Sequence, residues 1–324
     1  MTETHTMRCR YCGQLNQVKP EREGVAICGR CRLELSETPH KKFSSLDPHT
    51  YIHELDSQAL AALKAVPGVD TVLKKFLALT YESYFRVVFM ASCVKVSQRQ
   101  YPDLYAKLEI AAKTLGLPVP DLFVSVADPF DGGVGFNAFS SGVEKPFIVI
   151  NSLLVERLTD EELLSVIAHE VGHIHSQHML YRSAALILLM LTRYAMLTGP
   201  VAAGMSTLLT LTLQAALLNW YQKSEFSADR AAMLVTQNAQ TVQTALMKLA
   251  GGTLAAKVNY DEFLAQARQF DKSYDENVSD KIWTWIAAAQ TTHPFPVWRV
   301  SEILKWINSG GYEKVLSQSS DSAS

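Results

Sequence analysis

Thr159-Asp160-Glu161-Glu162-Leu163-Leu164-Ser165-Val166-Ile167-Ala168-His169-Glu170-Val171-Gly172-His173 opens on a helix cap and closes on two imidazoles one turn apart. Thr159 and Glu162 have the S/T-x-x-E spacing of a capping box, in which each side chain accepts the other residue's backbone N–H. Leu163, Val166, Ile167, Glu170, Val171 and Ile174 then recur at helical spacing. Residues four apart share one helix face, so His169 and His173 can grip a single cation with Glu170 beside them. Two imidazoles and one carboxylate would fill three corners of a zinc tetrahedron and leave the fourth to water. The ion acidifies that water, and Glu170 can take its proton.

The carboxylate ligand must come from elsewhere. One class of such sites adds a histidine six residues after the second ligand, but that position is Met179, and the glycine preceding it in that class is Ser176. Glu225 fits better. It stands in Gln222-Lys223-Ser224-Glu225-Phe226-Ser227-Ala228-Asp229, where a helical pattern begins after a long apolar stretch. Asp229 lies one turn on and could accept the free N–H of a ligand histidine, fixing its tautomer. The plainer alternative is a surface ion pair of Asp229 with Arg230 or Lys223.

The cysteines give a second metal signal. Of five, four form the pairs Cys9-Arg10-Tyr11-Cys12 and Cys28-Gly29-Arg30-Cys31, separated by fifteen residues. This is zinc-ribbon spacing, with Gly13 and Gly29 at positions for tight turns that aim N–H groups at thiolates. So small a segment has too little core to fold alone, and metal would hold it. A disulfide module needs an oxidising compartment, and Met1 to Arg10 contain no apolar run of a signal peptide. Reduced thiolates point to a cytosolic N-terminus. Cys93 is left over as a buried thiol.

Composition sets the outer bounds. A prior of about 150 residues per domain allows two domains in 324. Apolar content of 48% supports a sizeable core, and a net charge of −2 offers no field for general nucleic-acid binding. Helical patterns cover 56–66, 70–97 and 101–115. Short strands are expected at Leu122–Ala127, Gly135–Ser140 and Phe147–Asn151, between Gly, Pro and Asp clusters. A free edge among them could bind an extended peptide by strand addition.

The His169–His173 and Glu225–Asp229 segments resemble the HtpX and CAAX prenyl protease family of zinc endopeptidases, gluzincins with an H-E-x-x-H helix and a later E-x-x-x-D helix. The resemblance covers residues 100 to 308. It implies an α+β, mostly helical fold: a zincin-like metalloprotease domain with a small β-sheet, preceded by the zinc-ribbon module. It implies His169, His173 and Glu225 as ligands, Glu170 as general base and Asp229 behind a ligand. Asn137-Ala138-Phe139 look like the family's substrate-binding strand. Thr292-His293-Pro294 look like its late His-Pro element, which makes His293 catalytic at the oxyanion, with Arg299 following. A His before Pro could instead simply end a helix. The chain then divides into a ribbon at 1–35, a linker at 36–55, a helical segment at 56–100, the metallopeptidase domain at 101–310 and a disordered tail at 311–324.

Residues 184–218 form an apolar hairpin whose one charge is Arg193, divided by Gly199-Pro200. The second arm, Val201 to Leu218, is near the lower limit for spanning a bilayer, whereas Arg193 is costly in lipid. Membrane association is the expectation, with Arg182 and Lys223 flanking the hairpin on the cytosolic side. A buried or dimer-forming helix pair is the alternative. The functional expectation is a zinc-dependent endopeptidase, cytoplasmic or membrane-associated with its site facing the cytosol. It would carry one catalytic and one structural Zn2+, act on peptide or protein substrates in membrane-associated quality control, and offer its ribbon to a protein partner. The competing reading is a catalytically inactive, chaperone-like binding module; turnover of unfolded protein with and without a chelator separates the two.

Overall fold

A computed structural model describes residues 4–36, 40–43, 45–65, 67–127, 137–187, 206–288 and 293–318. The N-terminal strands β1 (His5–Arg8) and β2 (Leu15–Val18) form an antiparallel pair. A four-stranded sheet follows, built from β3 (Val94–Lys95), β4 (Asp121–Ser125), β5 (Ala138–Ser141) and β6 (Phe147–Asn151) in the order β3-β4-β6-β5. β4 and β6 run parallel; β3 and β5 pair antiparallel at the two edges.

Helices α1 (Glu54–Lys64), α2 (Val69–Ser92) and α3 (Pro102–Thr114) precede or interleave with the sheet. After it come α4 (Ser152–Arg157), α5 (Asp160–His175), α6 (residues 179–187) and the long α7 (Ser206–Thr236). The chain continues through α8 (Ala239–Gly251), α9 (Tyr260–Glu276), α10 (Val278–Ala288), α11 (Pro296–Asn308) and α12 (Gly311–Leu316). The fold is mostly helical with small sheets, as the sequence implies.

Alternation along the strands sorts side chains into two cores. Leu122, Val124, Ile148 and Ile150 join α3, α5, α7, α8 and α11 on one face. Phe123, Phe139, Phe147 and Val149 meet Phe89 of α2 and the α6–α7 cluster around Trp220 on the other. α5 and α7 pack tightly at Gly172, where a Cβ would lie 2.6 Å from Ala231 Cβ. The absence of that carbon is what lets the two helices touch.

Several elements differ from expectation. Residues 94–95 leave the predicted 70–97 helix and pair with β4, because the helix is capped at Cys93 in an extended conformation. The predicted linker 36–55 is a packed strap at its described positions. Tyr51 is fully buried, its hydroxyl 2.8 Å from His175 Nδ1, and α1 already starts at Glu54. The predicted tail 311–324 begins as α12, whose Tyr312, Val315 and Leu316 recur at helical spacing and are buried. Residues 319–324 lie outside the described residues. The ribbon is docked rather than free: Cys9, Cys28, Cys31, Leu33 and Leu35 share a core with Leu104 and Leu108 of α3. Lys107 Nζ donates to the Cys31 carbonyl at 2.9 Å and meets Asp160 at 2.7 Å. The central part of the apolar hairpin, residues 188–205, lies outside the described residues. Among those described, no helix is long and apolar enough to cross a membrane.

Candidate functional site

The capping box forms as read: Thr159 Oγ1 accepts from Glu162 N, and Glu162 Oε2 accepts from Thr159 N at 2.8 Å. It starts α5 three turns ahead of the histidines. α7 brings the acidic pair from the other side. Glu225 does not begin a helix but sits well inside α7, so it is held by helix on both flanks.

Three side chains converge between these helices. His169 Nε2 and His173 Nε2 are 3.2 Å apart. Glu225 Oε2 is 3.2 Å from the first and Oε1 3.2 Å from the second, so the carboxylate straddles the two nitrogens. A tetrahedral zinc with bonds of about 2.0–2.1 Å separates its ligand atoms by about 3.3 Å, and the two nitrogens have that spacing, with one ligand atom from each of the three residues within 4.8 Å of the others. Glu225 Oε2 is buried and accepts no hydrogen bond among the described residues, its nearest cation being Arg299 Nη1 at 3.4 Å. A buried carboxylate without a full set of hydrogen bonds, set against two imidazoles, is the donor set that a divalent cation completes.

Each ligand is held from behind. His169 Nδ1 lies 3.0 Å from Asp229 Oδ1. Asp229 in turn takes a two-pronged grip from Arg299, Nε to Oδ2 at 2.8 Å and Nη2 to Oδ1 at 2.6 Å. Burial would raise the Asp229 carboxyl, but the Arg299 guanidinium outweighs it and holds the group below its ordinary range. With Nδ1 turned to an ionised Asp229, Nε2 is the ring nitrogen left to meet a cation. His173 Nδ1 lies 3.0 Å from His178 Nδ1, and His178 Nε2 lies 3.0 Å from Asp56 Oδ2 of α1. Asp56 also accepts from Trp220 and Ser227.

Glu225 is held by Arg182, whose Nη1 donates to Oε1 at 2.6 Å while Nη2 donates to the Tyr221 hydroxyl at 2.7 Å. Burial opposes ionisation of Glu225, yet His293, Arg182 and His169 together keep it well below the carboxylate range. Arg182, expected as a flank of a membrane hairpin, is instead fully buried in the site. The alternative of Asp229 paired with a surface cation does not hold either, since its partners are His169 and Arg299.

Glu170 lies on the next face of α5 and accepts from Ser140 Oγ of β5 at 2.8 Å. His293 Nε2 is 3.8 Å from Glu225 Oε2, and its side chain is 30% exposed. Burial lowers its pKa to about 4 against the pull of Glu225, with Arg182 and Arg299 adding to the depression, so it is neutral at pH 7. A cavity of about 270 Å³ opens beside these groups. Glu170, His169, Glu225 and His293 stand on its polar side, and Val166, Val242, Ala245 and Leu246 on its apolar side. Asn137 and Ala138 also line it. Phe139 does not: its ring packs in the opposite core, 5.9 Å from that of Phe89.

Arg182, His178, Asp56, Tyr221 and Ser140 escape sequence reasoning as site residues. Arg299 is named there only as the companion of His293. Their signal is charge and hydrogen-bonding capacity scattered over helices, a turn and, for Ser140, strand β5, which becomes specific only once these elements are packed.

The second cluster joins Cys9, Cys12, Cys28 and Cys31. Cys9 Sγ is 3.7 Å from Cys31 Sγ, and Cys12 Sγ is 3.6 Å from Cys28 Sγ. Zinc–sulfur bonds of about 2.3 Å give sulfur separations of about 3.8 Å in a tetrahedron. Gly13 adopts φ 76° after the first pair, but after the second it is Arg32, not Gly29, that turns left-handed at φ 64°. Gly29 contributes its N–H to Asn16 Oδ1 instead, and Arg30 N points at Cys28 Sγ from 3.4 Å.

Comparison with known proteins adds an independent finding. Residues 98–307 match peptidase family M48. Plastoglobule-localized metallopeptidase 48, chloroplastic, of Arabidopsis thaliana is 35% identical over 303 residues, spanning 90% of this chain and 83% of that protein. A protease HtpX homolog of Ralstonia nicotianae is 23% identical over 270 residues, 76% of this chain and 89% of its own length. Another from Ligilactobacillus salivarius is 26% identical over 200 residues, 50% of this chain and 62% of its own. No solved structure matches the chain.

Proposed function

The chain belongs to peptidase family M48, a family of metalloproteases, and on that premise we propose that it is a zinc endopeptidase with Glu170 as its general base. The observation that carries this reading is the cluster of His169 Nε2, His173 Nε2 and the Glu225 carboxylate, each nitrogen 3.2 Å from one carboxylate oxygen, with the Glu170 carboxylate on the same cavity. A zinc ion held there supplies Lewis acidity for the attacking water and the scissile carbonyl.

The chain's own residues do the rest. Among the described residues β5 is an edge strand, and an extended peptide running along it would bring its scissile carbonyl across the cavity. Ser140 orients the Glu170 carboxylate, which takes a proton from water and returns it to the departing amine. His293, neutral and able to donate through a ring N–H, faces the position where the carbonyl oxygen gains charge. Arg182, Arg299 and Asp229 hold the ligand geometry fixed throughout. Asn137 and Ala138 are the substrate contacts this arrangement favours, with Phe139 supporting the strand from its far side. The cysteine cluster would hold a second, structural zinc.

Glu170→Gln is expected to keep its metal and lose about 10²- to 10⁴-fold in hydrolysis of an unfolded protein substrate. A variant that cleaves as well as the parent rules the mechanism out. A binding-only role fits the site less well, because every ligand and the base are in place.

Lipid contact is a further part of the proposal. The name of the Arabidopsis relative places that protein at plastoglobules. By analogy, the apolar sequence lying between the buried residues 184–187 and the buried Leu217 is where this chain would meet a lipid surface, in keeping with quality control near membranes. Flotation with liposomes, comparing the full chain with one lacking residues 188–205, tests it. Equal flotation of the two would remove this part of the reading.

A further inference from the structure

The cavity beside the metal ligands has a wall that the chemistry leaves unused. Leu154 of α4, Val166 of α5 and Val242, Ala245, Leu246 and Leu249 of α8 line it. The α8 residues recur at i, i+3, i+4 and i+7, so one face of that helix is turned to the cavity and brings no polar side-chain atom. Val166 precedes His169 by three residues and Glu170 by four on α5, so the apolar wall starts directly beside a ligand and the base. Apart from the half-buried Leu249, each of these side chains is 8% exposed or less, and a group entering among them loses its water.

Charge is confined to the other side. Glu170, Glu225 and Asp229 belong to the metal-ligand cluster and are partnered there by Ser140, Arg182 and Arg299. Ser165 adds one uncharged hydroxyl to the lining. A charged group pressed against α8 would therefore be buried without a counter-ion, which is costly, whereas an apolar group would be stabilised. Ala138, the first residue of β5, lines the same cavity, so a peptide following β5 reaches this recess as it passes the metal ligands.

We propose that the α8 recess sets the cleavage preference of the site: it takes one aliphatic or aromatic side chain from a residue flanking the scissile bond and turns charged side chains away. This inference rests on the endopeptidase reading and adds the substrate class to it. Large apolar side chains are mostly enclosed in folded proteins, so the bonds that the recess selects become available in unfolded chains. Ala245 is the smallest side chain of the wall and leaves the room for the incoming group. Leu249, at the half-buried rim, keeps the entrance apolar.

The test uses the full zinc-loaded chain and a peptide library with a short randomised core, the cut positions being read by mass spectrometry. At one flanking position Leu, Ile, Met or Phe is expected to exceed Gly, Asp and Lys by about 10- to 100-fold in kcat/KM. Ala245→Leu is expected to shift that position toward Ala and Gly. Leu249→Lys is expected to raise cleavage beside Asp and Glu about tenfold, a gain that damage to the fold cannot produce. Should Ala245→Leu fail to fold, judged by zinc content and melting temperature, Leu249→Lys carries the test. Binding is read separately by anisotropy on Glu170→Gln, with the best-cut sequence as a fluorescent peptide and its apolar flank changed to Asp in a second. The first is expected to bind about tenfold more tightly. The recess is ruled out as the selector by cleavage without preference at either flank, by a preference that Leu249→Lys does not move, or by equal binding of the two peptides. Octanoate displacing the first peptide at lower concentration than the unlabelled peptide does would assign the recess to a lipid chain instead. Selective binding without any cleavage by the parent chain would leave the recess standing and sink the endopeptidase reading.

Discussion

The two metal-ready clusters in this chain are built on opposite plans. The cysteine cluster draws all four sulfurs from 23 consecutive positions, Cys9 to Cys31, and closes the tetrahedron on itself. The histidine cluster draws its third ligand from another helix and leaves one vertex to a cavity. The closed cluster has its neighbours in the hydrophobic core; the open one has its neighbours in ion pairs and hydrogen bonds. A site that contributes stability can be local and saturated, whereas a site that does chemistry must be assembled from afar and kept incomplete.

That contrast can be broken experimentally. Cys31→Ser is expected to have the largest effect on stability. It removes a ligand whose neighbours include Lys107 and the α3 core, so zinc content falls by one and the melting temperature by about 10 °C or more. His169→Ala is expected to remove the other zinc and all measurable hydrolysis, yet to lower the melting temperature by less than half as much, because Asp229 and Arg299 remain paired. Equal thermal losses in the two variants would erase the division between a structural and a catalytic centre. Metal analysis alongside calorimetry reads both.

Finer changes sharpen it. Gly172→Ala introduces a carbon 2.6 Å from Ala231 Cβ. The overpacking should cost about 1–3 kcal/mol and loosen the catalytic zinc while sparing the ribbon. Denaturant titration of that variant and of its combination with Ala231→Gly should show recovery in the pair. His178→Phe removes the nearer partner of His173 Nδ1, leaving Arg182 Nη1 at 3.4 Å, and should weaken zinc at the histidine cluster about 10- to 100-fold, measured by competition with a chelator. No change there would mean that His178 does not orient the ring of His173.

The legibility of the two centres follows the same division. The cysteine pairs, the Thr159 cap and the His169–His173 face depend on spacings of a few residues, which the sequence displays directly. Glu225 and Asp229 stand out as an acidic pair one turn apart, but their place inside a continuous α7 could not be read. The polar run around them resembles a helix start, and tertiary packing overrode it. Asp56, His178, Arg182 and Arg299 act across separations set by the packing of α1, α6, α7 and α11, and no local pattern encodes such contacts. Arg182 is the sharpest case. Beside an apolar stretch, an arginine suggests a lipid headgroup, and only the approach of Glu225 and Tyr221 shows its charge turned inward.

The Arg182–Glu225 pair joins residues 43 apart in sequence. The described chain just inside the pair is core on both sides: residues 184–187 of α6 pack in one cluster with Leu217, Trp220 and Tyr221 of α7. One ion pair therefore both steadies the third metal-ready side chain and ties α6 to α7, so a core change that displaced α6 would be felt at Glu225 through Arg182.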